Sequence, residues 1–229
     1  MLTRNATRTS QFQQPKSLPS PWLSPVGAHV LFSSPELVGT PMSYGRNEEI
    51  YGEGEPADYL YKIVRGAVRI YRVLDDGRRQ ISAFYLSGDV FGMEGGEEHA
   101  CSAEAIGDID VIVFKRSTLV ALANRDGEIV RQMWGMTAWE LHRAQEHILL
   151  LIKSAQERVV SFLLEMSDRV ESNEIELPMS RQDIADHLGL TIETISRTFS
   201  QLESGALIGI PTSRRVVLRN RAALDRLAA

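Results

Sequence analysis

Glu193, Ser196 and Arg197 stand at spacings that place them on one side of a helix, where they can hydrogen-bond a polar partner. Thr194 and Ser200 lie on the same polar side, and every group in this set can hydrogen-bond a base edge or a phosphate. Ile195, Phe199 and Leu202 recur at i, i+4 and i+7 and form the side that must be buried. A preceding segment, Arg181 to Leu188, is expected to be the helix that holds this one in place. Ser180 and Asp183 form a variant of the capping box at its start, and Ile184, Ala185 and Leu188 form its apolar stripe. Gly189 permits the left-handed backbone of a tight turn, and Thr191 can cap the second helix. The three-residue turn is what a helix-turn-helix needs.

The next segment, Leu207 to Leu218, predicts a hairpin. Ile208 and Ile210 lie on one strand, Val216 to Leu218 on the other, and Pro211 to Ser213 form the turn, with Arg214 and Arg215 beside it. Helix-turn-helix plus hairpin is a winged helix. Ser180, Arg181, Thr191, Ser200, Arg214 and Arg215 are the candidate phosphate contacts. Added negative charge at Ser180 is expected to oppose DNA binding.

The whole chain of 229 residues has a formal charge of −5, which is unlike a protein that coats nucleic acid indiscriminately. The balance is local. Between Pro178 and Arg221 six arginines (181, 197, 214, 215, 219 and 221) face four acids (183, 186, 193 and 203). An acidic body with a modestly basic tip implies selective, salt-sensitive binding. The single cysteine, Cys101, excludes an intrachain disulfide and fits a cytoplasmic location. It is read as a small buried apolar side chain. No run of about 18 apolar residues exists to span a membrane, and Arg4 and Arg8 are followed by no apolar core of a secretory signal.

Four regions follow. Residues 1–40 form an N-terminal tail, rich at its start in Gln, Ser, Pro and Thr, with Trp22 and Leu23 as a docking point. Residues 41–116 carry short alternating strands punctuated by glycines, such as 59–74, 79–86 and 109–114, with a hairpin turn at Asp75-Asp76-Gly77. Their pattern predicts a small antiparallel β-roll or jelly roll. Residues 117–153 predict one uninterrupted helix of about 50 Å. On it Trp134, Leu141 and Ile148 repeat every seven residues, with Thr137, Ala144 and Leu151 three residues after each. That heptad seam predicts a homodimer. Residues 154–229 form the winged helix, starting with SAQERVVSFLLEM and hinged near 153–155. The fold class is α+β.

The motifs A-x-x-R-V-V-S-F-L-L (155–164), R-x-D-I-A-D-H-L-G-L (181–190) and E-T-I-S-R (193–197) resemble the Crp/Fnr superfamily of bacterial transcription regulators, and in detail its FixK-type branch. The likeness covers about residues 40–229. It implies a β-roll like that of cyclic-nucleotide receptors, a dimerisation helix and DNA recognition through Glu193, Ser196 and Arg197. It also implies a target like TTGAT-N4-ATCAA, and RNA polymerase as the partner of an activator, with Asp75 to Arg79 as a candidate contact. The chemistry of the residues agrees. Arg197 can donate two hydrogen bonds to guanine, Glu193 can accept from an amino group on the complementary strand, and Ile192 and Thr194 can touch thymine methyls. A two-fold dimer would set the helices about 34 Å apart.

The family's sensors are not matched. Iron–sulfur clusters generally take four ligands, and one cysteine cannot supply them. Cyclic-nucleotide receptors carry an acidic residue followed by Arg-Ser; the corresponding stretch here reads His99-Ala100, with Glu97 and Glu98 poised to repel a phosphate. Glu94 is read as a surface residue, and His142 and His147 as exposed polar residues rather than haem ligands. No cofactor, metal or cyclic nucleotide is expected. A metal-dependent jelly-roll oxygenase would need two inward histidines and a carboxylate, whereas the roll contains only His99. The alternative is a ligand-gated regulator of the same family, responding to a cyclic nucleotide or haem.

Overall fold

A computed structural model describes residues 37–228. Trp22, Leu23 and nearly all of the 1–40 region lie outside the described residues. The first half is two antiparallel four-stranded sheets face to face. One sheet has the order β1 (Thr40–Tyr44), β8 (Ile109–Lys115), β3 (Tyr59–Arg65) and β6 (Val90–Phe91). The other has β2 (Glu49–Tyr51), β7 (Ser102–Ala105), β4 (Ala67–Val73) and β5 (Arg79–Leu86). The alternation in 59–74 resolves into β3 and β4, and Gly77, at φ 81°, turns β4 into β5.

Rings fill the space between the sheets. Tyr51 stacks on His99 at 3.5 Å, Tyr61 on Phe91 at 5.0 Å, and Tyr85 lies 5.7 Å from Phe91. Val68, Ala103 and Ala105 are fully buried beside them.

The expected single long helix is two. α1 (Arg116–Ala123) ends at Asn124, and α2 (Gly127–Leu151) starts anew, with the Asp126 carboxylate accepting from the Glu128 N–H at 2.8 Å. An N-capping Asp ahead of Gly127 stops one helix and starts the next without any proline. At 25 residues, α2 runs about 37 Å rather than 50 Å.

The second half contains α3 (Ala155–Arg169), β9 (Glu174–Glu176), α4 (Arg181–Leu188), α5 (Ile192–Ser204), β10 (Ile208–Thr212), β11 (Arg215–Leu218) and α6 (Arg221–Ala228). α3 starts with a complete capping box between Ser154 and Glu157, which fixes the break after α2. The hairpin turn is Ser213–Arg214 rather than 211–213. Pro211 lies within β10, an edge strand that shifts register between Gly209 and Thr212, and an edge tolerates the missing N–H. β9 pairs with β11 and makes a third strand that the polar pattern of 172–176 does not announce.

The two halves share one apolar cluster. Ala67, Ile81, Phe84 and Ile106, from the β-roll's second sheet and the residue after β7, pack with Phe162, Ile184 and Leu188 of the winged helix. His187 of α4 is buried in this junction. Its Nδ1–H donates to the Ile81 carbonyl at 3.0 Å, and its ring stacks on His147 of α2 at 4.3 Å. His147 is therefore half-buried, not an exposed polar residue. Burial, the neighbouring His147 and the charges of Arg143 and Arg169 outweigh the Ile81 bond and drive the His187 imidazole from 6.5 down to about 3. The folded state holds it neutral while the unfolded chain takes up a proton near pH 6.5, so stability is lost as pH falls through that value. His147 is shifted in the same direction, by burial first and Arg143 second. Urea unfolding should show a midpoint that drops steadily between pH 6.5 and 5, above the carboxylate range. His187→Asn, which keeps an N–H for Ile81, should lower the midpoint at pH 7 and flatten this slope; an unchanged slope would refute the assignment.

Candidate nucleic-acid interface

α4 and α5 meet across Gly189, Leu190 and Thr191 as a helix-turn-helix. Gly189 has φ 62°, and its left-handed backbone closes the turn, with the Leu190 N–H bonded to the Ala185 carbonyl at 3.0 Å. The Thr191 hydroxyl caps α5 by accepting from Thr194 N–H at 3.3 Å. Ile195, Phe199 and Leu202 are buried as the spacing predicts, together with Thr198. Ile192, Glu193, Ser196, Arg197 and Ser200 share the exposed side, with Thr194 half-exposed at its edge.

These side chains are in different states of readiness. Arg197 makes no hydrogen bond or ion pair among the described residues, so its fork of donors is available. The Glu193 carboxyl is held below the usual carboxylate range, first by its own backbone N–H at the start of α5, then by Thr191 and by the charge of Arg197. It is a firm anion and acceptor. The Ser196 and Ser200 hydroxyls donate to the carbonyls of Ile192 and Ser196 at 2.8 and 3.1 Å. Each keeps only acceptor capacity toward an outside partner unless it rotates.

The candidate phosphate contacts split in the same way. Ser180 caps α4, its hydroxyl accepting from the Asp183 N–H at 3.0 Å. Arg214 donates to the Pro178 carbonyl at 2.9 Å and pins the hairpin turn to the segment before α4. Arg215 is ion-paired with Glu174 of β9. The Arg181 guanidinium lies 3.4 Å over the Phe199 ring, its Nη1 has no hydrogen-bond partner among the described residues, and burial lowers its pKa to about 10. To reach a phosphate, Arg215 must leave Glu174 and Arg181 must leave Phe199.

The most consequential residue here is Asp183, which the sequence reading treats only as a cap. Its Oδ2 accepts from Ser180 N–H at 2.9 Å and closes the capping box. Its Oδ1 accepts from Arg69 of β4 at 3.2 Å and from Arg79 of β5 at 2.6 Å. Arg79 also holds Asp186 at 2.9 Å, and Arg69 pairs with Glu104 of β7. Burial raises the Asp183 pKa, but the Ser180 bonds and the two arginines outweigh it and keep the carboxylate ionised. The only hint in the sequence is an Arg-rich hairpin end at 78–79, which a reading of local periodicity cannot pair with residues more than 100 positions away.

On α2, Trp134, Thr137, Leu141, Ala144 and Ile148 are exposed along one seam. Trp134 and Leu141 remain 76% and 60% accessible. Val130 and Ile152 extend it at both ends, Ile152 being 81% accessible. Leu151 is half-buried, its side chain lying beside the helix-turn-helix turn at Gly189. In the β-roll, Glu94 is partly covered, 3.5 Å from the Nδ1 of His99, rather than an isolated surface residue. Cys101 is half-exposed, not buried, and partial burial raises its thiol pKa. Of the hairpin end at 75–79, Arg79 is committed to Asp183 and Asp186, while Asp76 and Arg78 pair with each other. No group of three or more His, Cys, Asp or Glu residues suited to a metal occurs among the described residues, and none of their helices is long and apolar enough to cross a membrane.

A β-roll joined through a long exposed helix to a winged helix-turn-helix defines the Crp/Fnr family of transcription regulators, and the chain belongs to it. Residues 41–126 match the cyclic nucleotide-binding domain, and residues 157–227 the Crp-like helix-turn-helix domain. Within the family the chain is similar to the nitrogen fixation regulation protein FixK of Azorhizobium caulinodans, at 51% identity over 83% of this chain and 79% of the relative. It is 41% identical to the transcriptional activatory protein AadR of Rhodopseudomonas palustris, over 85% of this chain and 83% of that one. The structure of FixK2 from Bradyrhizobium japonicum superposes with a TM-score of 0.82 at 53% identity, covering 84% of this chain and 98% of that one. The comparisons identify a regulator, not an enzyme.

If the Arg79 bonds orient α4 and α5 on the β-roll, Arg79→Asp and Asp186→Arg should each lower DNA affinity, while the double variant regains part of the loss. A double-mutant cycle should give a coupling of about 1 kcal/mol or more. Single variants with parental DNA affinity would remove the ion pairs from any positioning role.

Proposed function

We propose that the chain is a homodimeric, effector-independent transcription activator of the FixK type that reads a TTGAT-N4-ATCAA-like palindrome. The observation that carries the reading is the exposed side of α5, where an unpaired Arg197 stands one turn beyond an ionised Glu193. Arg197 is suited to the guanine O6 and N7 of each half-site, and Glu193 to an amino group on the opposite strand. Ser196 is suited to accept from such an amino group. Ile192 and Thr194 flank the pair for thymine methyls. Ser180, Thr191, Ser200, Arg214 and Arg215 surround them for backbone phosphates, with Arg181 joining once released from Phe199.

Dimerisation through α2 is supported by its uncovered seam. Trp134, Leu141, Ile148 and Ile152 expose contiguous apolar surface that water disfavours. Thr137 and Ala144 between them permit close approach of a second helix. Effector independence is supported by the ring-filled β-roll interior, where Tyr51, Tyr61, Phe91 and the Tyr51–His99 stack occupy the space between the sheets. The Glu94 carboxylate close to His99 would repel a cyclic phosphate. RNA polymerase is the expected partner, with Asp75, Asp76 and Arg78 the exposed part of the proposed hairpin contact. The proposed division is a tail to about residue 40, a β-roll to 116, a dimerisation region to 153 and the DNA-binding domain from 154 onward, all in the cytoplasm.

Two measurements test this. Fluorescence anisotropy at fixed salt, without added effector, should show selective binding to the palindrome over a duplex with both G·C pairs changed. Arg197→Ala should erase that preference at about 1–3 kcal/mol per half-site. Retained preference would mean that other side chains read the bases. Analytical ultracentrifugation of Trp134→Asp/Leu141→Asp should show a folded monomer with little palindrome binding, whereas a dimer would place the interface elsewhere.

A further inference from the structure

A cleft of about 220 Å³ opens between the β-roll and the winged helix. Four guanidinium groups line it: Arg46 of the β1–β2 turn, Arg69 of β4, Arg79 of β5 and Arg214 of the hairpin turn, with Ser180 and Gln182 at the start of α4. Asp183 is the only carboxylate in the lining. The inner pair, Arg69 and Arg79, is neutralised by Asp183, Asp186 and Glu104. Arg46 and Arg214 form no ion pair with a carboxylate among the described residues. Arg69, only 7% exposed, keeps an unsatisfied Nε–H: this buried donor has no acceptor among the described residues.

A buried donor without an acceptor costs free energy, and unpaired guanidinium groups from two domains facing one opening repel each other. An anion between them would relieve the repulsion and could satisfy the donor. Arginine forks match tetrahedral phosphoryl oxygens in geometry as well as charge. We propose that this cleft is a phosphate-binding site that bridges the β-roll and the DNA-binding domain, with Arg46 and Arg214 as its principal ligands and Arg69 behind them. The phosphate belongs either to the DNA backbone flanking the half-site or to a small free phosphorylated anion. The DNA source rests on the recognition reading above; the free-anion source does not. In both cases the β-roll takes part in binding through its own side chain, Arg46.

The test uses the full chain and Arg46→Ala, a change at an exposed turn residue with no ion pair to lose. Arg125→Ala removes the same charge at an exposed residue outside the cleft and serves as control. One arm is calorimetric titration with inorganic pyrophosphate at low salt. The other is anisotropy on two duplexes with the same palindromic core, one with minimal flanks and one extended by about ten base pairs on each side. If the phosphate is the DNA's, Arg46→Ala should weaken the extended duplex about threefold to tenfold and reduce its salt-dependence slope by about one per contact. The short duplex and the Arg125→Ala control should be unaffected. If it is a free anion, pyrophosphate should bind the parent saturably and the variant at least tenfold more weakly. An Arg46→Ala protein indistinguishable from the parent and the control in both arms would overturn the proposal. Loss of palindrome selectivity in the parent would instead overturn the recognition reading, and the pyrophosphate arm would still decide the cleft.

Discussion

The orientation of the recognition helix depends on how one carboxylate is divided. Asp183 gives one oxygen to the first turn of α4 and the other to two arginines of the β-roll. α4 in turn sets α5 through the three-residue turn at Gly189. The same group that starts the first helix of the motif therefore also ties that motif to the rest of the molecule. A buried ion pair is a weak source of net stability, because desolvation consumes most of the Coulomb gain, but it is highly directional. Misplacing the domain strands three charges at once. The apolar cluster around Phe84, Phe162 and Leu188 supplies adhesion, which is tolerant of sliding, and the ionic network supplies angle.

That division of labour accounts for the polar character of the junction. Arg169 donates to the Phe84 carbonyl at 2.9 Å and pairs with Asp89, Gln80 reaches the His187 carbonyl, and His187 reaches Ile81. Each contact joins the winged helix or its supporting helix to the β4–β5 sheet. Interfaces of this composition resemble transient protein–protein contacts, which can be released as a unit. The His147–His187 stack brings α2 into the same junction. A displacement of α2, of the β-roll or of the helix-turn-helix must therefore be felt by the other two.

The parts of this architecture that local pattern can express were readable in the sequence. The alternation of the roll, the exposed apolar repeat on α2, the box at Ser180, Gly189 and the two sides of α5 all follow from periods of two or 3.6 and from capping chemistry. What failed did so for physical reasons. The helix break at Asn124–Asp126 is a cap without proline or an apolar gap, so periodicity runs through it. β9 is a three-residue strand with a glutamate at each end, created by pairing with β11 rather than by its own propensity. Asp183, Arg69, Arg79 and His187 have roles that exist only after the two domains meet.

The proposed effector independence has a physical basis in how the β-roll is packed. A ligand can shift a two-state equilibrium only by its differential affinity for the two states. In the β-roll, the Tyr51–His99 stack and the Tyr61–Phe91 stack already fill the space between the sheets, so an added molecule would have to displace packed rings before gaining any contact. The junction meanwhile holds its ion pairs, its stacked histidines and its shared apolar cluster without help from that interior. Under the proposed effector independence, the adjustable equilibrium is the domain junction. Its open edge is the arginine-lined cleft, where charge from both domains converges on a single small volume.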